Sequence, residues 1–204
     1  ILVSYSGDVK LTDFGVSKAS IKMHQTVAGA LKGKILYMSP EQARAEETID
    51  FRSDLYSAGI ILFELVTGKK LFLGNTEIIT LQKVQEGKVD RPSKVKPTIS
   101  PELEDIILKA LEKDPRRRYQ KASEMVKALE DYMHANFENM PTAIHLSHFL
   151  YRLFEDEIRK QGLDIPLKQL PYIVVRKPRH FQRPTAPPTE VISPEQTVKQ
   201  PKKP

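Results

Sequence analysis

Asp13-Phe14-Gly15 stands directly after the short β-prone segment Val9-Lys10-Leu11-Thr12. An acidic side chain at the end of a strand is well placed to bind a metal ion through its carboxylate. Phe14 can anchor the turn in apolar packing, and Gly15 allows the backbone to reverse its direction. The tripeptide alone has low specificity, because a chain of this size can contain it by chance. Its order and spacing with two later motifs, Ser39-Pro40-Glu41 and Asp54-Leu55-Tyr56-Ser57-Ala58-Gly59, carry the interpretation.

The three motifs together resemble the catalytic core of a eukaryotic-type Ser/Thr protein kinase, and its bacterial members most of all. The resemblance covers residues 1–134 and implies a mainly α fold, the C-lobe of a kinase, with a short β-hairpin and a helical bundle. Ile1-Leu2-Val3 and Val9-Lys10-Leu11-Thr12 would form the hairpin, with Gly7 in its turn. In the kinase fold Ile-Leu-Val directly follows the Asn of the catalytic loop. We therefore expect a partial chain that begins just after that loop and lacks the N-lobe.

The resemblance implies that Asp13 holds the Mg²⁺ that bridges the phosphates of ATP, with Phe14 and Gly15 completing the cofactor site. ATP and Mg²⁺ are the expected cofactors, and Ser or Thr hydroxyls of proteins are the expected phosphoryl acceptors. The 204 residues contain no Gly-rich loop and no H-R-D-L-x-x-x-N loop carrying the catalytic base. We therefore expect no catalytic base within the chain and no phosphoryl transfer by the 204 residues in isolation.

Residues 16–38 have no clear periodicity, and their position matches a kinase activation segment. Ser20 and Thr26 are the candidate phosphorylation sites, since a phosphate there can be held by neighbouring basic groups. Either one is, on its own, more often an ordinary polar loop residue. Residues 33–41, which begin within this segment, resemble the substrate-docking loop and the A-P-E motif, with Gly33, Lys34, Tyr37, Ser39, Pro40 and Glu41 as the candidate residues. Ser39 replaces the usual Ala, and Lys34 stands where most Ser/Thr kinases have a Thr that steadies the catalytic Asp.

Residues 53–67 are predicted to form a buried central helix, because apolar side chains cover most of its circumference. Ser53 or Asp54 can cap its start, and Gly68 suits its C-terminal end. The resemblance adds that Asp54 hydrogen-bonds backbone amides of the catalytic loop. A plain N-cap is the alternative, and both roles can hold together.

Asp114-Pro115-Arg116-Arg117-Arg118 contains three consecutive arginines, a pattern also seen in phosphate or nucleic-acid patches. The resemblance favours a structural role, because kinases carry D-P-x-x-R here and the Arg pairs with the Glu of the A-P-E motif. Arg118 is therefore expected to grip Glu41 with two parallel hydrogen bonds, while Arg116 and Arg117 are solvated. Asp54, Gly59 and Arg118 are the expected structural residues.

Further helices are predicted from residue 75 to 86, from Ser100-Pro101 onward, and from 122 to 134. Asn75 is the expected cap of the first, and Gly87 ends it. The second has its apolar residues on one face at i, i+3, i+4, i+7 and i+8, and the third has a similar face that includes Met125 and Val126. Residues 91–97 are expected to be an irregular connector.

The composition is that of a globular protein, with 40% hydrophobic and 28% charged residues. The chain has no cysteine, which excludes a disulfide framework, a Cys-based zinc site and a thiol nucleophile. His145 and His148 are expected on a helix surface rather than as metal ligands, because no acidic ligand lies in that turn. With no apolar run of membrane-spanning length and no leader sequence, we expect a cytoplasmic protein without a transmembrane segment.

The resemblance stops near residue 134, and two further regions follow. Residues 135–172 are predicted to be a helical extension, in which Thr142 caps one amphipathic helix that ends near Gly162 and packs on its own lobe. Residues 173–204 form a basic Pro-rich tail, with seven basic and two acidic residues, which we expect to be disordered. The tail offers positive charge to an acidic partner or to anionic lipid, although a solvated linker or tail is the simpler interpretation, and we do not expect nucleic acid.

Three functions remain open. The chain is part of a longer, active Ser/Thr kinase in signal transduction, or a non-catalytic kinase-like binding or scaffold module. In the third, the domain is a scaffold and its basic tail mediates association with nucleic acid or a membrane. The presence of Asp13, Gly15, Glu41, Asp54 and Arg118 favours the first.

Overall fold

The computed structural model of the chain describes residues 1–12 and 34–163. The predictions for Asp13, Phe14, Gly15, Ser20, Thr26, Gly33 and the tail 173–204 lie outside these residues.

The described residues are mainly helical, with one small antiparallel sheet. The strands are β1 (Leu2–Val3) and β2 (Val9–Lys10). The helices are α1 (Pro40–Ala43), α2 (Arg52–Thr67), α3 (Glu77–Glu86), α4 (Pro92–Val95), α5 (Pro101–Ala110), α6 (Ala122–Asn136), α7 (Ala143–Leu153) and α8 (Glu155–Lys160), with a 3₁₀ turn at Pro115–Arg117. Over these described ranges, no helix is both long enough and apolar enough to cross a membrane.

The hairpin predicted at the start of the chain is confirmed. Leu2 lies opposite Lys10 and Val3 opposite Val9. The turn is closed by the amide of Ser4, which donates to the carbonyl of Asp8 at 2.9 Å, and by the amide of Gly7, which donates to the carbonyl of Ser4 at 2.9 Å. Gly7 has φ +86°, a left-handed conformation that a residue without a Cβ adopts at little cost.

Helix α2 is the centre of the fold. Its residues Tyr56, Ile60 and Phe63 are buried, and they pack with side chains from α3, α5 and the connecting segments. The second core cluster joins Leu55 to α5, α6 and Tyr119. The expectation that α2 is buried all round is wrong in part, because Leu65 is 77% exposed. The described elements cover one broad side of the helix, and Leu65 lies on the other.

Gly59 lies where α2 crosses α5. A Cβ built on Gly59 would stand 2.9 Å from the Cβ of Ala110 and 3.1 Å from a methyl of Leu111. Such distances are tighter than ordinary contact, so the absence of a side chain allows the two helices to approach closely. The structural role predicted for Gly59 thus has a physical basis in this crossing.

Several helix caps differ from the prediction. Helix α2 begins after Phe51 without a side-chain cap, and Ser53 lies inside the helix with its hydroxyl bonded to Glu41. Thr76, not Asn75, caps α3 by accepting a hydrogen bond from the amide of Ile79 at 3.2 Å.

The connector expected to be irregular contains the short helix α4. Val126 on α6 is 52% exposed rather than part of the packed face.

Other ends agree with the sequence. Ser100 caps α5 through the amide of Leu103, and Gly68 and Gly87 end α2 and α3 in left-handed conformations. Local chemistry determines these positions, because each cap uses a side chain or a φ angle of the capping residue itself.

The extension after α6 forms two helices instead of the single one predicted. The chain breaks at Phe154, which has φ −120° and ψ 28°, so α7 ends and α8 begins around it. Thr142 caps α7 in a capping box with His145, as the sequence predicts for Thr142. His148 is half-buried rather than on the helix surface, and its Nε2 has no hydrogen-bond partner among the described residues.

Candidate functional site

The structure brings Glu41 and Arg118 together in a buried ion pair. Nη1 of Arg118 donates to Oε1 of Glu41 at 2.6 Å, and Nη2 donates to Oε2 at 2.8 Å. The side chains are 0% and 4% exposed, respectively. Two parallel hydrogen bonds of this kind give the pair a defined geometry as well as charge neutralisation. The pair joins α1, which carries Glu41, to the turn after α5.

Every N–H group of Arg118 is used. Besides its bonds to Glu41, Nε donates to the carbonyl of Glu112 at 2.7 Å, Nη1 donates to that of Arg52 at 3.1 Å, and Nη2 donates to that of Lys113 at 3.1 Å. The guanidinium also lies 4.6 Å from the ring centroid of buried Tyr56. A buried charge is tolerated only when its hydrogen bonds are satisfied, and here all five donors have acceptors. Arg118 therefore ties three separate parts of the chain to one point.

Ser53 completes the surroundings of Glu41. Its hydroxyl donates to Oε1 of Glu41 at 2.6 Å. Burial by itself raises the pKa of Glu41, but the hydrogen bonds from Arg118 and Ser53 and the charge of Arg118 outweigh it and hold the pKa at about 2. Glu41 is thus an ionised structural carboxylate that is not available as a general base near neutral pH.

The segment just before Glu41, residues 34–38, lies along α2. The hydroxyl of Tyr37 donates to Oε2 of Glu64 at 3.0 Å, and Lys70 Nζ lies 2.7 Å from the same oxygen. The Lys70 ammonium is also 4.9 Å from the Tyr37 ring centroid. Its hydrogen bonds to Glu64 and Tyr37 raise the pKa of Lys70, so it stays charged. Ser57 holds the backbone, since its hydroxyl donates to the carbonyl of Tyr37 at 2.7 Å.

Ser39 and Pro40 shape the start of α1. The Ser39 hydroxyl accepts from the amide of Gln42 at 3.3 Å, while the side chain of Gln42 accepts from the amide of Ser39 at 3.0 Å. This reciprocal capping box fixes the angle at which the chain enters α1. Ser39, Pro40 and Glu41 are all buried. We call residues 34–41 the docking turn; they are bound to α2 at one end and to Arg118 at the other.

Two predicted residues stand apart from these contacts. Lys34 is exposed at the start of the docking turn. Asp54 is exposed on the first turn of α2 and does not cap that helix. Arg116 and Arg117 lie at the surface in ion pairs with Asp114 and Glu112, with side chains 84% and 71% exposed.

Sequence reasoning missed a second buried carboxylate, Glu104 on α5. Its Oε1 is 2.5 Å from Nη1 of Arg91, and its Oε2 accepts from the amide of Ser93 at 2.8 Å. Burial raises its pKa, and the bonds from Ser93 and Arg91 outweigh burial and lower it. Glu104 thereby holds the start of α4 against α5. The only signal in the sequence was a charged residue on the apolar side of an amphipathic helix.

We expect Glu41→Gln to lower the free energy of unfolding by about 3–5 kcal/mol, because it leaves the Arg118 charge buried without its counter-ion. Urea unfolding of the full chain at pH 7 measures this. Asp131→Asn is the matched control, since Asp131 pairs with Lys127 across a surface where both side chains are more than half exposed. That control should change stability by less than about 1 kcal/mol. Equal effects of the two substitutions would contradict the structural role of Glu41.

The low pKa of Glu41 also predicts a pH dependence. Since the folded pKa is about 2 against an ordinary value of 4.5, ionised Glu41 stabilises the fold above pH 4.5, and that contribution disappears as the pH falls toward 2. We expect the stability difference between wild type and Glu41→Gln to shrink by about 3 kcal/mol over this window. Urea midpoints measured at several pH values for both proteins test it, and a constant difference would contradict the pKa shift.

The part of the chain that contains this site is similar in sequence to known proteins. The sequence model of the protein kinase domain matches residues 1–132. The tyrosine-protein kinase MasK of Myxococcus xanthus is 34% identical over 166 residues, which are 81% of this chain and 25% of the relative. A probable serine/threonine-protein kinase of Clostridium perfringens is 42% identical over 130 residues, 64% of this chain and 19% of the relative. The serine/threonine-protein kinase PknB of Mycolicibacterium smegmatis is 42% identical over 128 residues, 61% of this chain and 20% of the relative.

Among solved structures, the twitchin kinase region from C. elegans aligns with a TM-score of 0.44 and 24% identity, over 64% of this chain and 22% of that chain. The chain spans about a fifth to a quarter of the length of the curated relatives it matches. The domain match alone includes well over half of the chain. On the ground of this domain match the chain belongs to the protein kinase family, and bacterial Ser/Thr kinases are among its relatives.

Proposed function

We propose that this chain is the C-lobe part of a serine/threonine protein kinase that transfers the γ-phosphoryl group of ATP to protein hydroxyls in signal transduction. The observation that carries the proposal is the docking turn, which is bound to α2 through Tyr37 and to the base of the fold through Glu41 and Arg118. Phosphoryl transfer depends on positioning more than on covalent chemistry, so a rigid surface beside the reacting groups is what a kinase requires of this region.

The proposed cofactors are ATP and Mg²⁺, with Asp13 as the metal ligand. Among the described residues, no three His, Asp or Glu side chains gather as a metal site. A single carboxylate fits Mg²⁺ nonetheless, because this ion keeps several waters and is often bound through one or two carboxylates together with substrate phosphates. Asp13 follows strand β2 by three residues in the sequence, so the hairpin leads directly into it.

The residues of this chain would then have separate tasks. Asp13 would orient the phosphates through the metal, and the docking turn would position the acceptor segment of a protein substrate. Glu64 and Lys70 bind the Tyr37 hydroxyl and so hold the ring in place. The buried Glu41–Arg118 pair fixes the position of the docking turn relative to α2. The metal supplies charge neutralisation when it is bound.

Ser/Thr specificity is part of the proposal, and the relatives differ on this point. MasK is named a tyrosine-protein kinase, whereas the relatives from Clostridium and Mycolicibacterium are named serine/threonine-protein kinases. Higher identity to the latter two favours Ser and Thr as acceptors. Identification of the phosphorylated amino acid in the products distinguishes the two classes, and phosphotyrosine alone would contradict the proposal.

We propose a kinase part at residues 1–134, a helical extension at 135–172 and a basic tail at 173–204 that offers positive charge to an acidic partner. A cytoplasmic location belongs to the same proposal. Non-catalytic binding by the kinase-like lobe is the alternative function, and it follows if the native gene product transfers no phosphate.

We expect Asp13→Asn to reduce ATP-dependent phosphoryl transfer by the gene product, purified from its own host, to background. The amide keeps the shape of the side chain but removes the negative charge that binds Mg²⁺. Asp8→Asn is the matched control, because it is the same substitution in the exposed hairpin turn, where the Asp8 carboxylate accepts hydrogen bonds from Ser4 and Ser6. Transfer that persists in Asp13→Asn, or is lost equally in Asp8→Asn, would contradict the role of Asp13. A polypeptide of residues 1–204 alone should show no transfer.

A further inference from the structure

Strands β1 and β2 are too short to form a stable hairpin by themselves. Each has two residues, and all four are exposed. Leu2 is 63% exposed, and Val9 is 58% exposed. An isolated two-stranded hairpin is marginally stable at best, so packing elsewhere must fix its position. In this structure that packing occurs at its turn, against the helical extension.

Gly7 at the tip of the turn fits against the start of α7. A Cβ built on Gly7 would overlap the carbonyl oxygen of Ala143 and would stand 2.7 Å from its carbonyl carbon and 3.1 Å from the amide nitrogen of Ser147. These are backbone atoms of a helix, which cannot move aside as a flexible side chain can. A residue other than Gly at position 7 is therefore incompatible with the docked position of α7.

Two further contacts hold the extension to the same turn. The hydroxyl of Ser147, which is 7% exposed, donates to the carbonyl of Tyr5 at 2.7 Å. The ring of Tyr5 meets that of Phe154 edge to face, with centroids 6.1 Å apart and an interplanar angle of 60°. Phe154 is the residue at which α7 ends and α8 begins, so the break in the extension places a ring on the hairpin turn.

The extension lies outside the residues that the kinase domain matches, which end at 132. The alignment with MasK covers 81% of the chain and must therefore include residues beyond 132. Similarity to this relative thus continues into the segment that contains α7.

We propose that helices α7 and α8 form a brace in cis for the hairpin, with Gly7 and Ser147 as its positioning residues. This inference rests on the proposed function for its consequence, because strand β2 leads within three residues into Asp13. A brace that limits motion of the hairpin also limits motion of strand β2, which precedes Asp13 in the sequence. The extension then contributes to Mg²⁺ and ATP binding from outside the kinase domain.

Amide hydrogen exchange of the full chain tests the brace directly. Gly7→Ala should undock α7, and exchange of the amides in residues 1–12 and 143–153 should become roughly tenfold faster or more. Gly68→Ala is the matched control: Gly68 also has a left-handed φ, +71°, but a Cβ there meets no atom within 4 Å. It introduces the same backbone strain without the clash and should leave exchange in both segments unchanged. Ser147→Ala should accelerate exchange at the same amides to a smaller extent, because one hydrogen bond is lost.

Unchanged exchange in Gly7→Ala, or equal acceleration in Gly68→Ala, would overturn the brace. The consequence for catalysis has its own measurement in the native gene product. There Gly7→Ala should raise KM for Mg·ATP several-fold and leave KM for a peptide acceptor unchanged, whereas Gly68→Ala should change neither. Unaltered KM for Mg·ATP would overturn the positioning role. Wild-type protein without phosphoryl transfer would contradict the proposed function, and hydrogen exchange would still decide on the brace.

Discussion

A single buried guanidinium holds the base of this structure together. Arg118 donates to both oxygens of Glu41 and to three backbone carbonyls, and its side chain is 0% exposed. A charge in such surroundings is costly unless every donor has an acceptor. The start of α1, the start of α2 and the turn after α5 must therefore meet at one point. Hydrogen bonds are directional, whereas apolar contacts are not, so this arrangement fixes the relative positions of the three segments.

The position of the docking turn depends on the Arg118 guanidinium and on a row of polar side chains along helix α2. Ser53, Ser57 and Glu64 lie on one face of the helix, at spacings close to whole turns, and each makes a contact with the turn or with its end. The apolar residues Tyr56, Ile60 and Phe63 meanwhile form the core. One helix thus fixes the core and the surface that we assign to substrate docking, so the position of the turn is coupled to the packing of the lobe.

Local features of this fold were predictable from sequence, whereas long-range polar contacts were not. Ser100, Gly68 and Gly87 mark helix ends through their own side chain or φ angle, and the structure places them there. Ser53 resembles an N-cap, but the helix begins at Arg52, so Ser53 lies inside it and its hydroxyl donates to Glu41, twelve positions earlier. Three polar contacts join residues that are far apart in sequence, and no periodic pattern in the sequence reveals that they are close. They are the Tyr37–Glu64–Lys70 group, the Glu104–Arg91 pair and the hydrogen bond from Ser147 to Tyr5. The pairing of Glu41 with Arg118 was expected only from the resemblance to kinases.

The most direct test of this account is a double-mutant cycle on the buried pair, with Glu41→Gln, Arg118→Met and the combined variant compared by urea unfolding at pH 7. If the pair is the constraint described here, each single change leaves a partner buried and unpaired, and the double change costs less than the sum. We predict a coupling free energy of about 2–3 kcal/mol. Single effects that add to within about 0.5 kcal/mol would show that the two residues act independently, and would contradict the account.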